Sequence, residues 1–70
     1  ILLTAKEIAS IIQLMPDGYR IVFNLHAIEG FSHNEIASLL NIKPVSVRSQ
    51  YQRARMLLAA LLQKAETVSG

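Results

Sequence analysis

The sequence predicts an all-α domain of four helices, closing in a helix-turn-helix with a long recognition helix. Three observations carry that expectation. Apolar residues recur at helical spacing, two Ser/Thr-x-x-Glu boxes stand where helices would open, and Pro, Gly and Asn fall where helices would end. The 70 residues are enough for one small domain, read here as 1–70, and a hydrophobic share of 51% supplies one compact core. With no cysteine and no metal-ligand cluster, neither disulfides nor zinc would staple the fold, so dense local helix packing has to hold it. No apolar run approaches the roughly 18 residues of a membrane span. The chain opens on Ile1 rather than Met, and is expected to be a fragment of something longer.

Thr4-Ala5-Lys6-Glu7 has the spacing of a capping box, in which the Thr hydroxyl accepts from a backbone N–H and the Glu carboxylate accepts from another. It predicts a helix to about Met15, with Ile8, Ile11, Ile12 and Met15 on the apolar side. Pro16 ends that helix and suits the first turn of the next, having no N–H to lose. The second helix should run to about Glu29, with Tyr19, Val22, Phe23 and His26 on one side, until Gly30 stops it by adopting positive φ. Ser32-His33-Asn34-Glu35 is a second capping box. It opens a short helix whose apolar positions are Ile36, Ala37, Leu39 and Leu40, closed by Asn41 in a left-handed turn. Pro44 then starts a last helix that meets no breaker before the Thr67-Val68-Ser69-Gly70 tail and is expected to reach about Gln63.

Two helices crossing through a short turn need a small residue at their closest approach, a turn residue tolerant of positive φ, and an apolar anchor early in the second helix. Ala37, Asn41 and Val47 supply these, with Ile36, Leu40 and Ile42 between them. At about 100° per residue, Val47, Tyr51, Ala54, Leu58, Leu61 and Leu62 form the core stripe of the last helix. Ser46, Ser49, Gln50 and Arg53 fall on one flank, and Arg48, Gln52 and Arg55 on the other.

These are hydroxyls, amides and guanidiniums, the groups that read base edges: Arg to guanine, Gln to adenine, Ser to either. Arg53 is the leading base reader, and Arg48 and Arg55 are expected at phosphates. The helix start at Lys43 and Pro44 offers free N–H groups to phosphate. Charge is divided accordingly. Residues 1–35 carry Lys6 and Arg20 against Glu7, Asp17, Glu29 and Glu35, a net −2. Residues 36–70 carry Lys43, Arg48, Arg53, Arg55 and Lys64 against Glu66, a net +4, the one-sided basic footprint of a nucleic-acid binder.

Other chemistries find little support. His26 and His33 lie seven apart across a helix break with no Asp or Cys nearby, so no metal is expected, and His26 reads as a packed boundary residue. The five acids are scattered without an acid–base pair, and neither a nucleophile motif nor a Gly-rich phosphate loop is present, so no enzyme activity and no cofactor are expected. Arg20 reads as a plain surface cation. The mean hydropathy of +0.33 is high for a small soluble domain. Ile1, Leu2 and Leu3, with outward-facing Met56, Ala59 and Ala60, suggest a protein-docking surface and leave room for weak self-association.

Three motifs in order carry a family resemblance. Leu14-Met15-Pro16-Asp17-Gly18-Tyr19-Arg20-Ile21-Val22-Phe23 resembles the "LP, two residues, YR, x, VF" opening of region 4 in sigma factors of the extracytoplasmic-function (ECF) group. Ile28-Glu29-Gly30-Phe31-Ser32 with Glu35-Ile36-Ala37 is similar to that group's "IEG(F/Y)S…EIA" block, and Ser46-Val47-Arg48-Ser49 with Arg53-Ala54-Arg55 resembles its recognition-helix signature. The resemblance spans about Leu14 to Leu62. It implies binding to the upstream (−35) element of double-stranded promoter DNA, contact with the RNA polymerase core, an anti-sigma factor as partner, and a bacterial cytoplasmic setting. By position it implies that Arg48, Ser49, Gln50, Gln52 and Arg53 face DNA.

Two positions depart from the pattern. Asn41 stands where Gly is usual, and Gln50 where Arg is common, so the preferred promoter bases should differ from those of better-known members. The family's other large region, which opens DNA, is absent from these residues. Two alternatives remain at this point. A LuxR-type response-regulator effector domain has a similar helix-turn-helix but usually adds a dimerising helix. A helix-turn-helix used only for docking to protein would bind without sensitivity to salt or to Arg53→Ala.

Overall fold

The computed structural model describes residues 3–69; Ile1, Leu2 and Gly70 lie outside the described residues. Four α-helices and one π-helical segment follow in order: α1 (Ala5–Ile12), α2 (Asp17–Phe23), the π segment (Asn24–Ile28), α3 (His33–Leu40) and α4 (Pro44–Ser69). No strand occurs among the described residues, and the all-α expectation holds.

Both capping boxes form. In α1 the Glu7 N–H donates to Thr4 Oγ1 at 3.1 Å and the Thr4 N–H to Glu7 Oε1 at 3.0 Å. In α3 the Glu35 N–H donates to Ser32 Oγ at 3.1 Å and the Ser32 N–H to Glu35 Oε1 at 2.8 Å. These backbone donors hold the Glu7 and Glu35 carboxyls below the ordinary carboxylate range.

Asn41 sits in the left-handed region at φ 56°, ψ 47°, as its place in the turn requires. The Ile42 N–H donates back to Ala37 C=O at 3.0 Å and the Asn41 N–H to Ser38 C=O, the paired closure of a Schellman turn. Lys43 C=O then accepts from the N–H groups of Ser46 and Val47, which starts α4 with Pro44 in its first turn.

Two boundaries and one helical pitch differ from the sequence expectation. Ordered α-helix in α1 stops at Ile12, and Leu14 and Met15 continue in tighter turns through bonds to Ile11 and Ile12. The second helix changes pitch at Asn24: the Glu29 N–H reaches Asn24 C=O at 2.9 Å, closing a turn one residue wider than α. Gly30 does take positive φ, at 84°, but the wider turn carries the Phe31 N–H back to Leu25 C=O. Finally, α4 runs to Ser69 and not to about Gln63: Thr67, Val68 and Ser69 disfavour helix by less than about 0.7 kcal/mol each relative to Ala, too little to end it.

α4 is the organising element. Its 26 residues would span about 39 Å at 1.5 Å each, close to the 41 Å longest dimension of the molecule. It packs against α1, α2 and α3, and its inner stripe belongs to two apolar clusters. Around Val47 lie Val22, Ile36 and Ala37, with Leu25, Phe31, Leu40, Ile42 and Tyr51 at the margin. Two turns further on, Ala54 meets Ile12 and Met15, bordered by Tyr19, Phe23, Leu57, Leu58 and Leu61. Val22, Ile36 and Val47 are fully buried, each stabilising the fold by about 1.5–3 kcal/mol relative to exposure. Ala37 is the small residue that lets α3 approach α4, as expected. Ile8 and Leu39, apolar positions in the helical repeat, lie at the surface. No helix among the described residues is long and apolar enough to cross a membrane.

Candidate nucleic-acid interface

The core contacts of Val47, Tyr51 and Ala54 fix the rotation of α4 about its axis, and that rotation decides what faces out. Val45, Arg48, Ser49, Gln52, Arg53 and Met56 line one open surface. The two flanks expected from the sequence therefore merge: Arg48 and Gln52 share a face with Ser49 and Arg53 rather than lying opposite them. Lys43 and Pro44, at the start of the helix, are exposed beside it.

Ser46 and Gln50 are only partly exposed and share an open surface with Val45, Ser49 and Arg53. Gln50 and Arg53 border a groove with Pro16, Gly18 and Tyr19, so Gln50 lies between the outward face and the start of α2. Arg55 sits on the other side, its guanidinium 6.0 Å from the centre of the Tyr51 ring, with Gln52, Met56 and Ala59 beside it. The charged residues lining this surface are Arg48 and Arg53, with Lys43 and Arg55 to either side of it. With no carboxylate in the first turn of α4, the positive end of the helix dipole is left for an outside anion.

Arg20 is a surface cation, as expected, but one with partners. Its Nη2 donates to Asp17 Oδ1 at 2.7 Å, and Nη1 lies 3.4 Å from both Gln13 C=O and Gln13 Oε1. It ties the end of α1 to the start of α2.

Behind the outward face, three rings from three elements meet. His26 in the π segment lies 4.5 Å from His33 at the start of α3 and 4.6 Å from Tyr51 of α4, centre to centre; His33 and Tyr51 are 5.7 Å apart. The Phe31 carbonyl can only accept, so the 2.8 Å contact assigns the proton of His26 to Nδ1. His33 Nε2 is buried with no hydrogen-bond partner among the described residues. Burial, His26 and Arg48 all disfavour the charged ring, so His33 titrates below the usual histidine value. The described residues hold no group of three or more potential metal ligands. The sequence marked His26 as a packed boundary residue and did not pair it with His33, since the two rings meet only where the π segment and the start of α3 come together.

Val45, one turn before Ser49 on the wheel, also lies on this face, which the sequence assigned through its polar side chains alone. Met56, Ala59 and Ala60 do face outward, as expected.

The family model described as "Sigma-70, region 4" matches residues 3–58 of this chain. No curated protein and no solved structure matches it.

Proposed function

We propose, since the chain belongs to the sigma-70 region 4 family, that it reads the upstream (−35) promoter element by laying the outward face of α4 in the major groove. The family is one of DNA-binding helix-turn-helix domains that work with RNA polymerase, and membership sets aside the LuxR-type alternative. The observation that best supports this docking is the composition of the α4 face. It presents guanidiniums, an amide and a hydroxyl without a carboxylate, over the N-terminal turns that enter the groove in helix-turn-helix docking.

Arg53 is assigned to a base edge, with Ser49 and Gln52 beside it. Arg48, Arg55, Lys43 and the N–H groups after Pro44 are assigned to phosphate. Ser46 and Gln50, being half buried, act at the margin, Gln50 by orienting Arg53 against the start of α2. The motif resemblance supports the ECF group within the family, and a bacterial cytoplasmic setting follows from that assignment. The polymerase core and an anti-sigma factor are assigned to faces away from the polar surface of α4, where Leu14, Ile21, Ile28 and Leu39 are exposed.

Titration against a duplex selected from a randomised pool, and against its scrambled counterpart, tests the reading at 50 and 200 mM salt. Five cations in residues 36–70 predict weak binding that falls steeply with salt as counterions are released. Arg53→Ala should remove the preference between duplexes, a loss of about 1–3 kcal/mol. Salt-insensitive binding that ignores Arg53→Ala would favour a protein-docking module.

A further inference from the structure

Val45 is the one β-branched apolar residue on the outward face of α4 among the described residues, and the fold does not account for it. It is 64% exposed, belongs to neither apolar cluster, and borders both Arg48 and Ser49 on one side and Ser46 on the other. Valine is also a poor choice for local reasons. It is a weaker helix former than alanine, and in a first turn it forgoes the favourable interaction that a carboxylate would make with the helix dipole. Val45 thus adds nothing to either cluster and little to helix stability, which leaves its methyls available to whatever the first turn touches.

Resting on the DNA reading proposed above, we infer that Val45 determines sequence preference by packing its methyls against the 5-methyl of a thymine. Among the groups that base pairs present in the major groove, the thymine methyl is the apolar one, and small aliphatic side chains are its usual partners. The position fits. Residues at the start of a recognition helix are those that approach base edges, and a side chain as short as valine needs that proximity. Met56, the other exposed apolar residue of the face at 66%, lies three turns later, about 17 Å along the axis. Met56 therefore lies beyond the N-terminal residues that contact base edges in helix-turn-helix docking, and Val45 lies among them.

The test uses the 70-residue chain and the duplex it selects at low salt from a randomised pool. Each thymine of that duplex is replaced in turn by deoxyuridine, which removes the 5-methyl and leaves the hydrogen-bonding edge intact. One replacement should weaken binding about fourfold, the loss of one methyl contact. The same replacement should be nearly silent for Val45→Ser. If every thymine tolerates uracil while binding stays salt-dependent and sensitive to Arg53→Ala, Val45 is not a base reader and the DNA reading stands. The inference also fails if Val45→Ser weakens thymine and uracil duplexes alike. If the pool yields no salt-sensitive duplex at all, both fall together.

Discussion

Two valines two positions apart in one helix face opposite environments, and a matched pair of substitutions tests the rotation of α4 on which the interface depends. Val47 is fully buried among Val22, Ile36 and Ala37, whereas Val45 is 64% exposed. Val47→Ala removes two buried methyl groups, about 1.6 kcal/mol of transfer free energy at roughly 0.8 kcal/mol each. The cavity left between α3 and α4 relaxes only partly and brings the total to about 2–3 kcal/mol. That is a large share of the roughly 3.5–10 kcal/mol expected for a domain of this size, and should lower the melting temperature by about 10–20 °C.

Val45→Ala makes the same chemical change at the surface. It should alter stability by less than about 0.5 kcal/mol, with any change toward greater stability because alanine is the better helix former. Thermal and urea unfolding followed by circular dichroism at a helix wavelength measure both. Equal shifts for the two variants, or a loss below about 0.5 kcal/mol for Val47→Ala, would refute the placement of Val47. The assignment of Arg48, Ser49, Gln52 and Arg53 to the outward face would go with it.

Four further outcomes are expected. His33 titrates below its unfolded value, so between pH 6.5 and that lower folded value the unfolded chain holds more protons. Stability contributed by neutral His33 is therefore full above about pH 6.5 and lost as pH falls through the window; a melting series from pH 5 to 7.5 should show this slope, and His33→Gln should flatten it. His26, Arg48 and Tyr51 are the titratable and charged groups facing the ring from the other elements, so His26→Gln should reduce the slope without abolishing it. Ser32→Ala removes the hydroxyl that accepts from Glu35 N–H and should cost about 1 kcal/mol in urea unfolding. Asn41→Ala places a Cβ without a stabilising amide at φ 56° and should cost roughly 1–2 kcal/mol, whereas Asn41→Gly should be tolerated in the same assay.

The helices and their punctuation were legible in the sequence because the forces that set them act within one turn. Thr4 with Glu7 and Ser32 with Glu35 cap their own helices, Gly30 and Asn41 adopt positive φ where they stand, and Pro44 suits the turn it occupies. The apolar repeat at helical period likewise marked Val47 and Ala54 as inward-facing, and thereby located the opposite surface. The family was legible for a related reason: its motifs are these same caps, turns and anchors in fixed order.

What only the tertiary structure decided lies between residues far apart in the chain. Local propensity in Asn24–Ile28 gives no reason for a π turn, yet the segment adopts one and His26 within it meets His33 of α3 and Tyr51 of α4. Arg20 carries the same charge on paper as Arg53, yet one is bound to Asp17 and Gln13 while the other borders the open face. Gln50 turns toward α2 and Val45 turns outward because α4 can rotate only as far as Val22, Ile36 and Ile12 allow. A helical wheel orders side chains around an axis; how the axis is turned depends on the neighbouring helices, and that contact geometry exists only once they have packed.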